Sequence, residues 1–317
     1  RYGVGYDYFE YREWIISPDL KTQEPLIQLL AEFCSKIHYQ LFFAITSILS
    51  IFSVYKVSKK YSIDPIMSFM VYMLVPMLFL DGMSTVRNAI AYPMVLWSFM
   101  ILLKEKRKYL AVIPFLIAIN IHGSAIVALL FLPFAFLRIK RGHALIAWIV
   151  SFAFSQTQIT GVLLDYMNVP YLSKAMWYLN HSRENTSGGT LWLAVNAINL
   201  INFVYWNKLK NIDECSVFYL MAYCLGCILY NIAIKVDPTI ALRLSNYGSI
   251  FLMLIAPYYA YVLPYRQHRN QRLIYLFFIF YFSSLLFIVI LKTPPGDKMS
   301  FFPYQTIFNH VDYSNLQ

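Results

Sequence analysis

Residues 86–104 read Val-Arg-Asn-Ala-Ile-Ala-Tyr-Pro-Met-Val-Leu-Trp-Ser-Phe-Met-Ile-Leu-Leu-Lys, and this stretch decides the fold class. No charged residue stands between Arg87 and Lys104. At ~1.5 Å per residue, a helix of this length crosses most of a ~30 Å hydrocarbon core. Lys106, Arg107 and Lys108 follow at once. Because Lys and Arg collect on the cytoplasmic side of a membrane, the stretch predicts a transmembrane helix with its cytoplasmic end near Lys104.

The composition extends this interpretation to the whole chain. Of 317 residues, 59% are hydrophobic and 13% are charged, and the mean hydropathy is +0.53. A soluble domain carries about 25% charged residues, so the composition excludes a water-soluble globular protein. We therefore predict an all-α integral membrane protein in which residues 1–317 form one polytopic membrane domain.

Apolar stretches of near-membrane length predict a bundle of about ten transmembrane helices. We also expect a further span upstream of Arg1, which would bring the total to eleven or more. Two stretches, 109–121 and 123–137, are short for a full crossing. They either tilt, meet a thinned bilayer or form a re-entrant pair with its apex at residues 121–123. The predicted stretches are 39–55, 65–80, 87–103, 109–121, 123–137, 144–162, 191–206, 214–232, 242–263 and 273–291.

The distribution of charge predicts the orientation of the chain. Every second connection between spans is basic, and these connections hold more than half of the 26 Lys and Arg residues. The positive-inside rule places them in the cytoplasm. Cytoplasmic loops that face anionic lipid headgroups thereby account for the net charge of +10. We therefore expect no nucleic-acid partner. The basic residues are Lys56, Lys59, Lys60, Lys104, Lys106, Arg107, Lys108, Arg138, Lys140, Arg141, Lys208, Lys210, Arg266, Arg269 and Arg272.

The same rule predicts which segments lie on the outer face. These are residues 1–38, the turns near residues 82, 122 and 237, the segment 163–190 and the C-terminal tail. The segment 163–190 is long for a loop and rich in aromatic residues, which favours a lid or a substrate contact over disorder.

Ionisable residues gather at the outer ends of the predicted helices. Arg87 opens the third span and Arg243 opens the ninth. Ionisable residues that run into apolar helices usually face the bundle interior and mark a pathway. A planar guanidinium binds phosphate through two hydrogen bonds, although each arginine also fits an anchor among lipid headgroups. Tyr247 lies one turn after Arg243 on the same helix face, and an arginine at a helix N-terminus opposes the macrodipole, which disfavours a purely stabilising role.

Two further groups at the predicted outer level are candidates for proton transfer. His122 stands in Asn120-Ile-His-Gly-Ser, and its side chain titrates near neutral pH. Asp7 stands in Gly5-Tyr-Asp-Tyr8, where aromatic rings offer faces on which sugars stack. A structural histidine and a helix-capping aspartate are the alternative interpretations.

The sequence lacks the motifs of the common cofactor sites. It has no HxxxH or HExxH motif on the predicted outer face, no Walker loop and no GxGxxG. We therefore expect no cofactor and no metal, and a cytoplasmic nucleotide-sugar transferase is disfavoured. Cys224 and Cys227 are spaced CxxC but lie in an apolar run, so we interpret them as core residues.

Five short motifs in order along the chain resemble the EpsG family of Wzy-like polysaccharide polymerases. They are Arg1 with Val4-Gly-Tyr-Asp7-Tyr8 and Tyr11, then Val86-Arg87-Asn88-Ala-Ile-Ala91, Ile121-His122-Gly-Ser124, Arg243 with Tyr247, and Pro303-Tyr304. The family usually has a membrane span before the first motif, which this sequence lacks.

The resemblance implies a GT-C-like enzyme of the bacterial cytoplasmic membrane that makes O-antigen, capsule or exopolysaccharide. Its substrates would be oligosaccharide repeats linked to undecaprenyl diphosphate, and a flippase and a chain-length regulator would be partners. We expect catalytic roles for His122, Asp7, Arg87 and Arg243. Substrate-binding roles are expected for Arg1, Tyr8, Tyr11, Asn88 and Tyr247.

Three other functions fit the same residues. A flippase for lipid-linked sugars would also use arginines and aromatics, although it should need polar residues through the full membrane depth. An outer-face ligase or acyltransferase would also fit His122. A scaffolding subunit of an export complex is the non-enzymatic alternative.

Overall fold

The computed structural model describes residues 7–16, 24–137, 139–157, 189–262, 281, 283 and 284. All regular structure in these residues is helical, which confirms the all-α prediction for this part of the chain. The described residues up to Ile126 belong to one compact unit, and those from Val127 to Val262 belong to a second. Arg1, the segment 163–188, most of the predicted span 273–291, and Pro303 with Tyr304 lie outside the described residues.

The first unit is built around two long helices, α3 (Gln40–Tyr61) and α6 (Val86–Lys104), which pack against each other. The side chain of Asp64 accepts a hydrogen bond from the Met67 N–H at 3.0 Å, and Pro65 follows it, so this pair starts the helix that returns from α3. The helices are α1 (Tyr8–Ile16), α2 (Pro25–Ser35), α3 (Gln40–Tyr61), α4 (Pro65–Leu74), α5 (Phe79–Ser84), α6 (Val86–Lys104) and α7 (Val112–Ile121), with a 3-10 helix at Lys108–Ala111.

The ends of α3 and α6 separate the charges of the first unit. At one end, Lys60 forms an ion pair with Glu105 at 2.5 Å, and the Tyr61 hydroxyl donates to the same carboxylate at 2.8 Å. The opposite ends of these helices begin at Gln40 and Val86. The lysines in the last turn of α3 and the basic residues at and after the end of α6 therefore lie at one level of the unit.

The second unit is organised around α11 (Ser216–Ala233), a helix whose surface is mostly buried. Its neighbours include α9, α10, α12 and α13. After a 3-10 helix at Gly123–Phe131, which starts in the first unit, its helices are α8 (Leu132–Phe136), α9 (Arg141–Phe154), α10 (Gly189–Leu209), α11 (Ser216–Ala233), α12 (Pro238–Ser249) and α13 (Leu252–Val262).

Two glycines bring the backbones of α11 and α12 into contact. A Cβ atom added to Gly248 would lie 2.5 Å from the Ala222 carbonyl oxygen and 2.7 Å from the Gly226 Cα. A Cβ atom added to Gly226 would lie 2.9 Å from the Ser245 carbonyl oxygen. Small residues at such crossings are typical of helix packing in membranes.

A buried amide network joins three helices of the second unit. Asn231 of α11 exchanges hydrogen bonds with Asn196 of α10 at 3.0 and 3.1 Å and donates to Ser151 of α9 at 3.1 Å. The indole N–H groups of Trp148 and Trp192 donate to Asn196 and Asn231 at 2.9 and 2.8 Å. Within a bilayer, polar groups must find partners inside the protein, and here they find one another.

The helices identify the chain as a membrane protein. Among the described residues, α3, α6 and α11 are long and apolar enough to cross a bilayer, and α12 with α13 would make a fourth span, bent by 53°. Large apolar side chains face outward, among them Ile48, Ile66 and Val204 at 65%, 74% and 65% exposure. Cys224 and Cys227 are buried and not bridged, as their apolar surroundings predict.

Two predicted spans differ in detail from the structure. The stretch 65–80 is not one helix, because α4 ends at Leu74 and a turn at residues 75–78 separates it from α5. The stretch 242–263 is preceded by a helical turn, since Asp237 accepts from the Ile240 N–H at 2.8 Å and starts α12 at Pro238. Arg243 therefore lies in the second turn of α12 and not at its N-terminus, so the macrodipole argument, which applies to the first turn, was wrong.

Candidate functional site

Arg87 lies in the first turn of α6, at the end of the helix opposite Lys104. Its Nε donates a hydrogen bond to the Tyr11 hydroxyl at 3.0 Å, and its guanidinium carbon is 5.9 Å from the centre of the Tyr11 ring. Tyr11 is buried on α1, so this contact fixes α1 against the start of α6. Two of the sequence-predicted residues thus meet.

Glu24 joins Arg87 to His122. Arg87 Nη1 donates to Glu24 Oε2 at 2.7 Å, and His122 Nδ1 lies 3.5 Å from Glu24 Oε1. The Gly123 N–H also donates to Oε1, at 3.3 Å. Glu24 immediately precedes Pro25 at the start of α2, and His122 follows the last residue of α7. We call Arg87, Glu24, His122 and Tyr11 the Glu24 cluster.

The Glu24 cluster is largely shielded from solvent but not sealed. The side chains of Arg87, Glu24 and His122 are 30%, 16% and 14% exposed. Burial alone would raise the pKa of Glu24, but His122, Arg87 and the Gly123 N–H outweigh it and lower that pKa from 4.5 to about 2. The cluster therefore holds a carboxylate that stays ionised at neutral pH between a guanidinium cation and an imidazole.

Aromatic residues of α1 and α3 support this cluster. The Tyr8 ring stacks on Phe43 with centroids 4.8 Å apart, and the Tyr8 hydroxyl accepts from Gln40 Nε2 at 2.7 Å. The backbone carbonyl of Asp7 accepts from the Tyr11 N–H at 3.0 Å, so Asp7 stands at the start of α1. Tyr8 is fully buried, and its ring packs against protein.

Asn88 adds a polar group beside Arg87. Its side chain is 1% exposed, and within the described part of the chain neither of its amide atoms has a hydrogen-bond partner. The N–H groups of the first helical turn also lack intrahelical partners, and they favour negative charge. The start of α6 therefore combines a guanidinium, an amide and a helix N-terminus.

The remaining predicted residues are in other places. Arg243 is half-buried in α12 of the second unit, and Tyr247, one turn later, is fully buried there. Arg1 lies outside the described residues. The described ranges contain no group of three His, Cys, Asp or Glu residues close enough to hold a metal ion.

The comparison with protein families matches this chain over residues 1–306 to the EpsG family. The chain belongs to the EpsG family. EpsG proteins are Wzy-like polysaccharide polymerases, so a role in polysaccharide biosynthesis follows from the match. No curated protein and no solved structure matches the chain.

Sequence reasoning missed Glu24, which is the residue that connects two predicted members of the site in this EpsG protein. A signal for it was present, because Glu24 precedes Pro25 and an apolar helix in the predicted outer segment 1–38. Pro favours the first helical position, which places Glu24 at a helix end and at the same predicted level as Arg87 and His122.

Proposed function

We propose that this protein polymerises oligosaccharide repeats linked to a lipid diphosphate, undecaprenyl diphosphate by family resemblance, at the outer face of the bacterial cytoplasmic membrane. The observation that carries the proposal is the Glu24 cluster at the start of α6. It combines a cation suited to a phosphate with a histidine whose neighbour is a carboxylate. Family membership supplies the class of reaction.

The two ends of α6 support the outer location. Lys104 ends the helix and a run of Lys and Arg follows it, while Arg87 stands at the other end. If the basic end is cytoplasmic, as the positive-inside rule requires, the cluster lies at the outer headgroup level. A lipid diphosphate presents its charged groups at that level. Our proposal of about ten spans rests on the apolar stretches of near-membrane length.

Arg87 would bind the diphosphate of the growing chain's lipid. A guanidinium offers a phosphate two parallel hydrogen bonds, and it stabilises the charge that develops as the diphosphate departs. Glu24 now holds one of these donors at 2.7 Å, so substrate phosphate would replace a carboxylate at Arg87. We expect Asn88 and Tyr11, which lie beside Arg87, to contribute to substrate binding. The roles expected for Arg1, Tyr8, Arg243 and Tyr247 stay predictions from the sequence.

The bond changes in the proposed step balance without a further reactant. The oxygen of an acceptor sugar hydroxyl forms a bond to the anomeric carbon of the donor, and the bond from that carbon to the phosphate oxygen breaks. The diphosphate leaves with the electron pair, and the hydroxyl proton passes to a base. His122 and Asp7 are the candidates for that base, and Glu24 favours His122 because its carboxylate stabilises an imidazolium.

A purified enzyme assay tests the proposal. Protein is incubated with a synthetic lipid-diphosphate repeat unit in the absence of nucleotide sugar, and the products are separated by gel or mass spectrometry. We expect a ladder of repeats from the wild type and from Arg107→Ala, whose arginine lies in a basic loop, and none from Arg87→Ala. Unchanged repeat units with the wild type, under conditions in which the lipid binds, would contradict polymerase activity and favour transport or scaffolding.

A further inference from the structure

A groove of about 370 Å³ lies between α3 and the start of α6 in the first unit. One wall is a single face of α3 that runs from Gln40 to Ile51, and the other includes Phe79, Val86 and Ala89. The eleven-residue step along α3 corresponds to about 16 Å at ~1.5 Å per residue. The groove therefore extends from the proposed headgroup level to about the middle of the bilayer.

One end of the groove lies at the same end of α3 and α6 as the cluster. Val86, which lines it, precedes Arg87 in the first turn of α6. Gln40 and Phe43 also line it, and they contact Tyr8 through a hydrogen bond and a stacked ring. A molecule whose phosphate binds at the start of α6 would therefore have one end of this groove at the same level.

Three of the four hydroxyl groups that line the groove form hydrogen bonds within the protein. Thr46 donates to the Phe42 carbonyl at 2.8 Å, and Ser50 donates to the Ala89 carbonyl at 2.8 Å. The Tyr72 hydroxyl lies 3.1 Å from Ser50 Oγ. A sugar would need free donors and acceptors, whereas these satisfied groups leave a wall that suits hydrocarbon.

The groove opens sideways. Ala44, Ser47 and Ile51 on the groove face of α3 are exposed, and in a span of this length they face the lipid phase. A hydrocarbon chain can thus enter from the bilayer while its headgroup stays at the level of Arg87. Small side chains at positions 44 and 47 leave room for a bulky chain.

We infer that this groove binds the polyprenyl chain of the lipid-linked donor while Arg87 holds its phosphate. The inference rests on the proposed function for the identity of the lipid. In this inference, α3 and α6 recognise the polyprenyl lipid of the donor, and other residues recognise its sugar. Ordinary phospholipids share a phosphate and a hydrocarbon chain, so they are the competitor that a test must distinguish.

Photolabelling tests binding without any need for activity. The probe is a polyprenyl phosphate that carries a diazirine on its chain, applied to the full-length protein in phosphatidylcholine vesicles. With the label located residue by residue, we expect it on groove residues such as Ala44, Ser47 and Met83, and we expect it to be lost with excess unlabelled polyprenyl phosphate. Equal competition by added phosphatidylglycerol, or label spread over lipid-facing positions such as Ile48, would overturn the inference. No label on the groove residues would also overturn it.

Groove-filling variants test the same site through kinetics. Ala44→Trp and Ser47→Phe place an aromatic ring in the groove, and Ile48→Trp places one on the neighbouring lipid-facing surface, where Ile48 is 65% exposed. We expect the groove variants to raise the KM for the long-chain donor about tenfold or more and to leave turnover of a short-chain diphosphate unchanged. Ile48→Trp should match the wild type with both donors.

The outcomes separate the two proposals. If the groove variants lose the same fraction of activity with long-chain and short-chain donors, at unchanged thermal stability, they act on the reaction and not on chain binding. That result would contradict the groove inference. If the wild type forms no ladder at all, the proposed polymerase function fails, and the photolabelling result still decides whether the groove takes a polyprenyl chain.

Discussion

At the scale of single residues, the guanidinium of Arg87 forms hydrogen bonds with two different helices or helix ends. It holds Tyr11 through Nε and Glu24 through Nη1, so it fastens α1 and α2 to the start of α6. A lysine would keep the charge but has a single nitrogen, which cannot reproduce the planar fork. The geometry of Arg87 is therefore as important as its charge.

Arg87→Lys should abolish most polymer formation. We expect a loss of about 100-fold or more in rate, because a hydrogen bond made to charge in the transition state is lost. Polymer is measured by the ladder assay, and protein level by immunoblot of membranes. Arg107→Lys is the matched control, since Arg107 is exposed in a basic connection. Full activity in Arg87→Lys would show that a point charge suffices.

The substitution Glu24→Gln should lower the stability of the folded protein at neutral pH. This destabilisation should disappear in acid. The folded-state pKa of Glu24 is about 2 against an ordinary value of 4.5. A lowered pKa means that the ionised group stabilises the fold fully above pH 4.5 and progressively less as the pH falls toward 2. A hydrogen bond to a charged group contributes ~2 kcal/mol, which sets the size expected at pH 7.

The measurement is the thermal unfolding of the detergent-solubilised wild type and Glu24→Gln between pH 7 and pH 3. The difference in Tm should shrink below pH 4.5. Glu13→Gln, on the exposed side of α1, is the control and should show no difference from the wild type at either pH. A difference between the wild type and Glu24→Gln that is constant with pH would contradict ionisation as its source.

Residues of the site were predicted unevenly, and the reason is physical. Arg87 and His122 were recognisable because an ionisable side chain at the end of an apolar helix is conspicuous. Glu24 was not, because its importance depends on α2 folding back so that its N-terminus meets α7. Contacts between segments about a hundred residues apart, such as Glu24 and Gly123, follow from tertiary packing and leave no local pattern.

At the scale of helices, apolar length predicted where helices lie better than where they break. The helix α6 spans Val86–Lys104, close to the predicted 87–103. The break after Leu74 is in an apolar sequence, Val75-Pro76-Met77-Leu78, where only Pro76 hints at a turn. Similarly, the bend between α12 and α13 falls at Ile250 and Phe251, which carry no turn signal. Packing against neighbouring helices decides such bends.

The crossing of α11 and α12 gives a prediction at this scale. Gly226→Ala and Gly248→Ala each add a methyl group against backbone atoms that cannot move aside. We expect each to lower the free energy of unfolding by about 1–3 kcal/mol, as overpacking does, and to lower the Tm in detergent. Gly142→Ala on α9 is the control, because a Cβ there meets nothing within 4 Å. Equal Tm values for all three variants would contradict a close crossing.

At the scale of the whole molecule, orientation connects the sequence to the proposed reaction. In the first unit, Lys60 and Glu105 meet at one end of α3 and α6, while Gln40 contacts Tyr8 and Arg87 contacts Tyr11 at their other ends. Unit 1 thus has a basic end and an end that carries the Glu24 cluster. The proposed function requires the second end to face outward.

Cysteine labelling in intact cells measures this orientation directly. Lys36 and Lys106 are both exposed lysines, and the proposed topology places the first outside and the second in the cytoplasm. We expect a membrane-impermeant maleimide to label Lys36→Cys in intact cells and Lys106→Cys only after permeabilisation. The wild type serves as the blank, since its four cysteines are buried. The opposite pattern would put the Glu24 cluster in the cytoplasm, where an outward-delivered lipid-linked repeat could not reach it, and would remove the proposed reaction while leaving the cluster's geometry intact.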